Sequence, residues 1–209
     1  MAQYSLSLTE LDLAAEAPPL SFPAQNAMLY VAEGSVALGP TVLPANSAYF
    51  CDGDAALRAA GGGARILCFD LASGAAPPAA LLASAVALDP AGQYLMRCDR
   101  VDFPPGGVAY THTHRGPGIR RLLKGHLTVE TEGHVQEIAP GGAWFESGPA
   151  PVLATASKTE ETAFVRVMVL PRALLGKSSI RYVRPEDADK PKLQRYTVFQ
   201  DVPISLRGG

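Results

Sequence analysis

The chain is 209 residues long, 47% hydrophobic and 18% charged, with a formal net charge of −2 and a pI near 6.1. That is enough chain to bury a sizeable core, and the balanced charge, without a basic stripe, gives no footing for nucleic acid. No run approaches the ~18 apolar residues of a membrane span, the acidic N-terminal stretch with Glu10, Asp12 and Glu16 is no secretory signal, and three dispersed cysteines (Cys51, Cys68, Cys98) with no C-x-x-C pair point to reduced thiols in a cytoplasmic setting.

In chain order, "SLTELDLAAEA" near the start reads as a short helix. "AMLYVAEGSVALG" and "ARILCFDL" read as strands. "PAALLASAVAL" at 78–88 reads as a second short helix. "QYLMRCDRVDF", "IRRLLKGHLTVETEGHVQEIA" and "TAFVRVMVL" are again strand-like, and "PRALLG" at 171–176 is a third short helical piece. With 20 glycines and 18 prolines spread between the runs, the pattern is one of many short strands joined by tight turns. The tail from 176 begins charged and proline-rich and ends in the strand-like "RYTVFQDVPISL". Two readings stand for it: a segment packed across a barrel or a partner subunit, or a solvated tail. "AAGGGARI" lacks the Gly-Lys-Ser/Thr ending of a phosphate loop and reads as a hairpin connection.

Two stretches repeat one another. In 29–71 and 122–170, Gly34 answers Gly125, Tyr49-Phe50 answers Trp144-Phe145, Gly53 answers Gly148, and "RILCFDL" answers "VRVMVL". A repeat of this size predicts two related β units.

Two of the four histidines stand one residue apart in "AYTHTHRGPGIRRLLKG". On a strand, residues i and i+2 share a face, so His112 and His114 point the same way, as adjacent ligands of a transition metal must. His126 and His134 read as outward-facing and exposed.

Here the sequence resembles the cupin superfamily, and its doubling resembles a bicupin. The first cupin motif runs from a glycine through His-x-His and a glutamate to a closing glycine. Gly106/Gly107, His112, His114 and Gly125 match it, but Gly118 stands where the glutamate ligand belongs. The second motif pairs strands around Pro-x-Gly and adds a third histidine. Pro140 and Gly142 match the turn, while the histidine position falls near Val152 or Leu153. The motif is degenerate, and the resemblance covers roughly residues 28–170.

The resemblance implies an all-β fold: tandem jelly-roll (double-stranded β-helix) cupin barrels with a few short helices. The expected division is a structural N-terminal cupin unit at 1–90, a C-terminal unit carrying the site at 91–175, and a tail at 176–209. Glu146 is the candidate third ligand, giving a metal set of His112, His114 and Glu146; its alternative is an exposed turn residue. Tyr110 shares strand parity with His112 and is a candidate hydrogen-bond donor at the pocket, or else packs at an edge. Arg120 faces inward if parity runs on from Gly118, as a clamp for a carboxylate; if the Gly116-Pro117-Gly118 loop resets parity, Arg121 takes that role.

The implied function is binding of a divalent metal (Fe, Mn, Ni or Zn) and of a small anionic organic molecule. Oxygen chemistry at Fe(II) is the leading enzymatic expectation. The alternative is a non-catalytic binding or sensing bicupin whose metal site has decayed. Fold alone does not choose between them. The expected partners are a small molecule and a second copy of the chain, with no nucleic acid or membrane.

Overall fold

The structure, a computed structural model, describes residues 1–207. The chain parts into two compact units, one made of Met1–Met96 with the chain from Ile204 onward, the other of Arg97–Pro203. Among the described residues no helix is long and apolar enough to cross a membrane.

The first unit is one antiparallel sheet of seven strands: β1 (Ala2–Leu13), β2 (Leu20–Glu33), β3 (Ser35–Leu38), β4 (Thr41–Pro44), β5 (Ser47–Ala59), β6 (Ala64–Ser73) and β7 (Leu82–Leu88). Their order is β4-β3-β5-β2-β6-β1-β7. Two of the expected helices are strands here. β1 buries Tyr4, Leu6, Leu8 and Leu13, and pairs with β6 from Tyr4↔Ser73 to Leu13↔Ala64. β7 buries Val86 and Leu88 and pairs with β1. Leucine, glutamate and alanine favour helices by only a few tenths of a kcal/mol each, and a continuous ladder outweighs that preference. The interior is apolar: Leu29, Val31, Leu57 and Ile66 pack with Cys51 and Cys68. Burial pushes both thiols above their ordinary pKa, most strongly for Cys68, so they behave as small hydrophobes.

The second unit is built from β8 (Tyr94–Phe103), β9 (Val108–His114), β10 (Gly118–Lys124), β11 (Leu127–Thr131), β12 (His134–Ile138), β13 (Ala143–Glu146), β14 (Val152–Ala156), β15 (Thr162–Pro171), β16 (Ile180–Tyr182) and β17 (Arg195–Ile204). One sheet runs β13-β10-β15-β8-β17 and the other β12-β11-β14-β9-β16. Residues of both sheets form one core, with Phe103, Leu122, Trp144 and Phe164 from the first against Ala109, Leu127, Val129, Val152 and Ala154 from the second. The Trp144 and Phe164 rings meet edge-on at 5.2 Å. The third expected helix is a single 3-10 turn, Arg172–Leu174, and α1 (Pro185–Asp189) was not expected. The tail supplies β16 and β17 as the edge strands of the two sheets.

The repeat shows in the strand pairing. In the first unit β2 pairs with β5 and β6, and β3 pairs with β4 and β5. In the second, β10 pairs with β13 and β15, and β11 with β12 and β14. β5 is thus one continuous strand where the second unit has β13 and β14. Gly34 and Gly125 turn the chain at equivalent points, with φ of +71° and +73°. A Cβ at Gly34 would strike the Gly63 carbonyl oxygen, and one at Gly125 the Glu161 carbonyl oxygen.

Two predictions follow from this packing. Gly125→Ala combines left-handed strain with a backbone collision, whereas Gly133 has φ +77° and open space around it. Denaturant titration should therefore find Gly125→Ala destabilising by more than ~2 kcal/mol, and Gly133→Ala by only ~1 kcal/mol. Equal costs would refute the collision. In β6, burial pushes the Asp70 carboxyl up to about 6, against a hydrogen bond from the Gln25 backbone. The folded state then binds the proton more tightly than the unfolded chain, so stability is lost as pH rises from the unfolded value near 4 to about 6. Asp70→Asn should stabilise the protein by about 1 kcal/mol at pH 7, allowing for the group's partial exposure, and by nothing near pH 4.

Candidate functional site

The site lies between the sheets of the second unit, around a cavity of about 20 Å³, room for a single water. His112 and His114, both buried, reach it from β9. Their Nε2 atoms stand 3.1 Å apart and the rings meet edge-on. His112 Nδ1 lies 2.7 Å from the Tyr110 carbonyl oxygen. A carbonyl only accepts, so Nδ1 carries the proton and Nε2 presents a bare lone pair to the cavity. Burial lowers the pKa of both imidazoles. For His114 the charges of Arg166 and Arg120 lower it further; for His112 the Tyr110 carbonyl and Glu146 partly oppose the effect. Both rings are neutral at pH 7, the form that ligates metals.

Tyr110 does not share this face. Val152 pairs with His112 and Ala154 with Ala109, so β9 carries one extra residue between those pairs. That bulge turns Ala109 and His112 inward and leaves Tyr110 half-buried outside the cavity, with Lys190 Nζ 4.7 Å from its ring centre. Strand parity alone cannot foresee a bulge, so the pocket role expected for Tyr110 is not supported by its position.

Parity does hold on β10. Arg120 points inward and is the largest fully buried side chain of the protein, while Arg121 turns out to the Gly141 carbonyl. Arg120 Nη1 donates to the Gly118 carbonyl at 2.6 Å, and Nη2 lies 2.6 Å from Glu146 Oε2. This last contact is an ion pair without hydrogen-bond alignment, for both atoms are buried and neither makes a hydrogen bond. Burial draws the Arg120 pKa down to about 10, with Glu146 acting the other way. Glu146 is buried, not an exposed turn residue. It is the direct cross-strand partner of Gly118, so a carboxylate stands opposite the position where the cupin motif carries one. Its Oε1 accepts from Trp144 Nε1 at 2.9 Å, and its Oε2 stands 3.5 Å from His114 Nε2.

Sequence reading missed four residues here. Arg166, the register partner of Arg120, donates through Nε and Nη2 to Asp99 at 2.6 and 3.1 Å. Its Nη1 lies 3.5 Å from His114 Nε2. Burial opposes the Arg166 charge, but Asp99 raises its pKa above the ordinary value. Trp144 holds Glu146, and the Tyr196 ring lies 5.6 Å from the Arg166 guanidinium. The available signal was a lone charge inside an apolar strand, as in "TAFVRVMVL". Arg166 and Tyr196 also line a second, open basin of about 460 Å³, with Arg97, Ser178 and Asp201 on its walls.

Among the described residues no group of three or more His, Cys, Asp or Glu side chains stands assembled as a metal cage. Two neutral imidazoles and an orphaned carboxylate oxygen are nonetheless the donor chemistry of a divalent transition-metal site. The donor types suit such an ion, but Glu146 is turned to Arg120 and not into an assembled cage.

No family model matches the sequence, and no curated protein matches it. Solved structures do. Salicylate 1,2-dioxygenase from Pseudaminobacter salicylatoxidans is similar at a TM-score of 0.56 and 9% identity, over 93% of this chain and 75% of that one. AerE from Microcystis aeruginosa matches at 0.54 and 14%, over 78% and 87%. A putative glyoxylate-induced protein from Pseudomonas aeruginosa matches at 0.53 and 17%, over 79% and 74%. The fold is the cupin fold. Within this fold the Glu146 carboxylate sits across the ladder from Gly118, and apolar Val152 faces His112.

Trp144 is the only tryptophan and the only side chain hydrogen-bonded to Glu146 Oε1 among those described. Trp144→Phe keeps most of the packing and removes that donor. Chemical denaturation should show a loss of about 1–3 kcal/mol; a neutral result would mean the carboxylate does not depend on the indole.

Proposed function

We propose that the chain binds a divalent transition metal and a small anionic organic molecule in its second unit. The observation that carries the metal reading is the convergence of two neutral, buried imidazole nitrogens 3.1 Å apart beside a carboxylate oxygen without a hydrogen bond. His112 and His114 would hold the ion, with Glu146 as third donor. A bound Fe, Mn, Ni or Zn ion supplies a Lewis-acidic centre with positions left for small ligands, and at Fe(II) a two-histidine, one-carboxylate set suits dioxygen chemistry. The similarity to a salicylate dioxygenase supports that enzymatic reading.

The chain's own residues define the rest. The basin has the volume of a small-molecule pocket, about 300–1,000 Å³, and Arg166 and Tyr196 link it to the histidines. Asp99 occupies Nε and Nη2 of Arg166, so its Nη1 edge is the group offered to an incoming anion. The core aromatics Phe103, Trp144 and Phe164 keep bulk water from the histidines.

One observation favours a non-catalytic binding or sensing protein instead. Glu146 is already neutralised by Arg120 at 2.6 Å, as in a site that has given up its metal. A homodimer in a cytoplasmic setting remains part of the proposal, tested by sedimentation and fractionation.

Trp144 reports on the site through Glu146, so its fluorescence should change on anaerobic titration with Fe(II) or Mn(II). His112→Ala should abolish that response. Glu146→Gln should weaken metal binding by one or two orders of magnitude, about 1.4 kcal/mol for each. Binding that survives both substitutions would place the metal elsewhere, and no binding by the wild type would leave the metal-free reading.

A further inference from the structure

Glu146 Oε2 faces two positive claims at once. It stands 2.6 Å from Arg120 Nη2 and 3.5 Å from His114 Nε2, the nitrogen that would share a metal with it. We infer that Arg120 competes with the metal for this oxygen, and that a small carboxylate relieves the competition by taking Arg120 for itself. The inference rests on the metal reading above and adds a rule of order to it: metal and carboxylate bind cooperatively.

The geometry of β10 makes the competitor possible. Gly118 has no side chain, and the Arg120 guanidinium folds back over it to its carbonyl. A Cβ at 118 would lie 2.6 Å from the Val167 carbonyl oxygen, 2.8 Å from Met168 Cγ and 3.2 Å from Arg120 Nη1. A side chain at 118 would press first on the β15 backbone and also on the space that the Arg120 guanidinium fills.

The pair is also poorly made. Arg120 Nη2 and Glu146 Oε2 are held by charge without hydrogen-bond alignment, and both are buried. A free carboxylate can meet a guanidinium with two aligned bonds and so replace Glu146. Arg166, with two of its nitrogens engaged by Asp99, has only its Nη1 edge left, enough to meet an incoming anion but not to hold it with a two-nitrogen fork. A metal ion and Arg120 on one oxygen would repel each other strongly in so dry a site. A guanidinium keeps its charge at neutral pH, so Arg120 must meet another anion before Glu146 is free. The cavity has room for no more than a single water, which leaves the body of the ligand toward Arg166, Tyr196 and the basin.

Mn(II) binding by the whole chain, followed by Trp144 fluorescence and equilibrium dialysis, tests this with acetate as the anion and acetamide as its uncharged analogue. Acetate should tighten Mn(II) binding to the wild type by about 5- to 150-fold, the usual span of coupling between two sites. Acetamide should not. Acetate in solution sequesters Mn(II) weakly, which acts in the opposite direction and cannot imitate the effect. Arg120→Met should bind Mn(II) more tightly than the wild type without acetate, and should lose the acetate response. Weaker binding by a folded Arg120→Met, or a wild type indifferent to acetate, would overturn the inference while the metal site stands. No Mn(II) binding by either protein under any condition would overturn the metal reading and the inference together. If Arg120→Met does not fold, the wild-type series with acetate and acetamide decides alone.

Discussion

Two guanidiniums are buried side by side in the second unit. Arg120 on β10 and Arg166 on β15 are register partners in the middle of one sheet. Like charges directly opposite destabilise a sheet, and an unpaired buried charge costs several kcal/mol. The strand order β13-β10-β15-β8 resolves this by placing Glu146, Arg120, Arg166 and Asp99 in a row, negative, positive, positive, negative. The row sums to zero, and so the interior tolerates it.

The rest of the site follows from that row. Two cations near His114 and the dryness of the core keep the imidazoles of the facing sheet uncharged. Trp144 must lend its N–H to Glu146, because a single guanidinium does not satisfy both oxygens of a buried carboxylate. Gly118 must stay bare because a Cβ there would collide with the Val167 carbonyl and Met168 and crowd the Arg120 guanidinium. On the proposed metal reading, a divalent ion entering this arrangement would meet a site already neutral, and its affinity would depend on what happens to Arg120. Electrostatics, more than the count of donors, sets the chemistry open to this cavity.

The two units show how little the strand pairing says about chemistry. The pairing around β2 and β3 recurs around β10 and β11, with β5 divided into β13 and β14, and the glycine turns fall at equivalent points with the same contact beneath them. Yet the first unit closes over leucine, isoleucine, valine and two unreactive cysteines, while the second closes over histidines and ion pairs. Long apolar strands suffice for the first interior. The second needs each polar group matched by another, and those partners come from four strands of one sheet and one of the other.

Local pattern by itself determined the all-β class, the repeat and the shared face of His112 and His114, and it narrowed the inward arginine to Arg120 or Arg121. All of these depend on alternation along one strand or on turn residues, and both are properties of a few consecutive residues. Helices expected at the leucine- and alanine-rich stretches failed for the complementary reason. β1 and β7 are strands because neighbouring strands supply their hydrogen bonds, and weak intrinsic preference yields to that ladder. Tyr110 left the pocket through one extra residue in β9, which no parity count contains. Only the tertiary structure decided that Glu146 lies opposite Gly118, that Arg120 claims it, and that Arg166 and Asp99 stand beside them. Those relations join residues up to 67 positions apart in the chain, and their energies come from charges brought together in a dry interior that exists only once both sheets have closed.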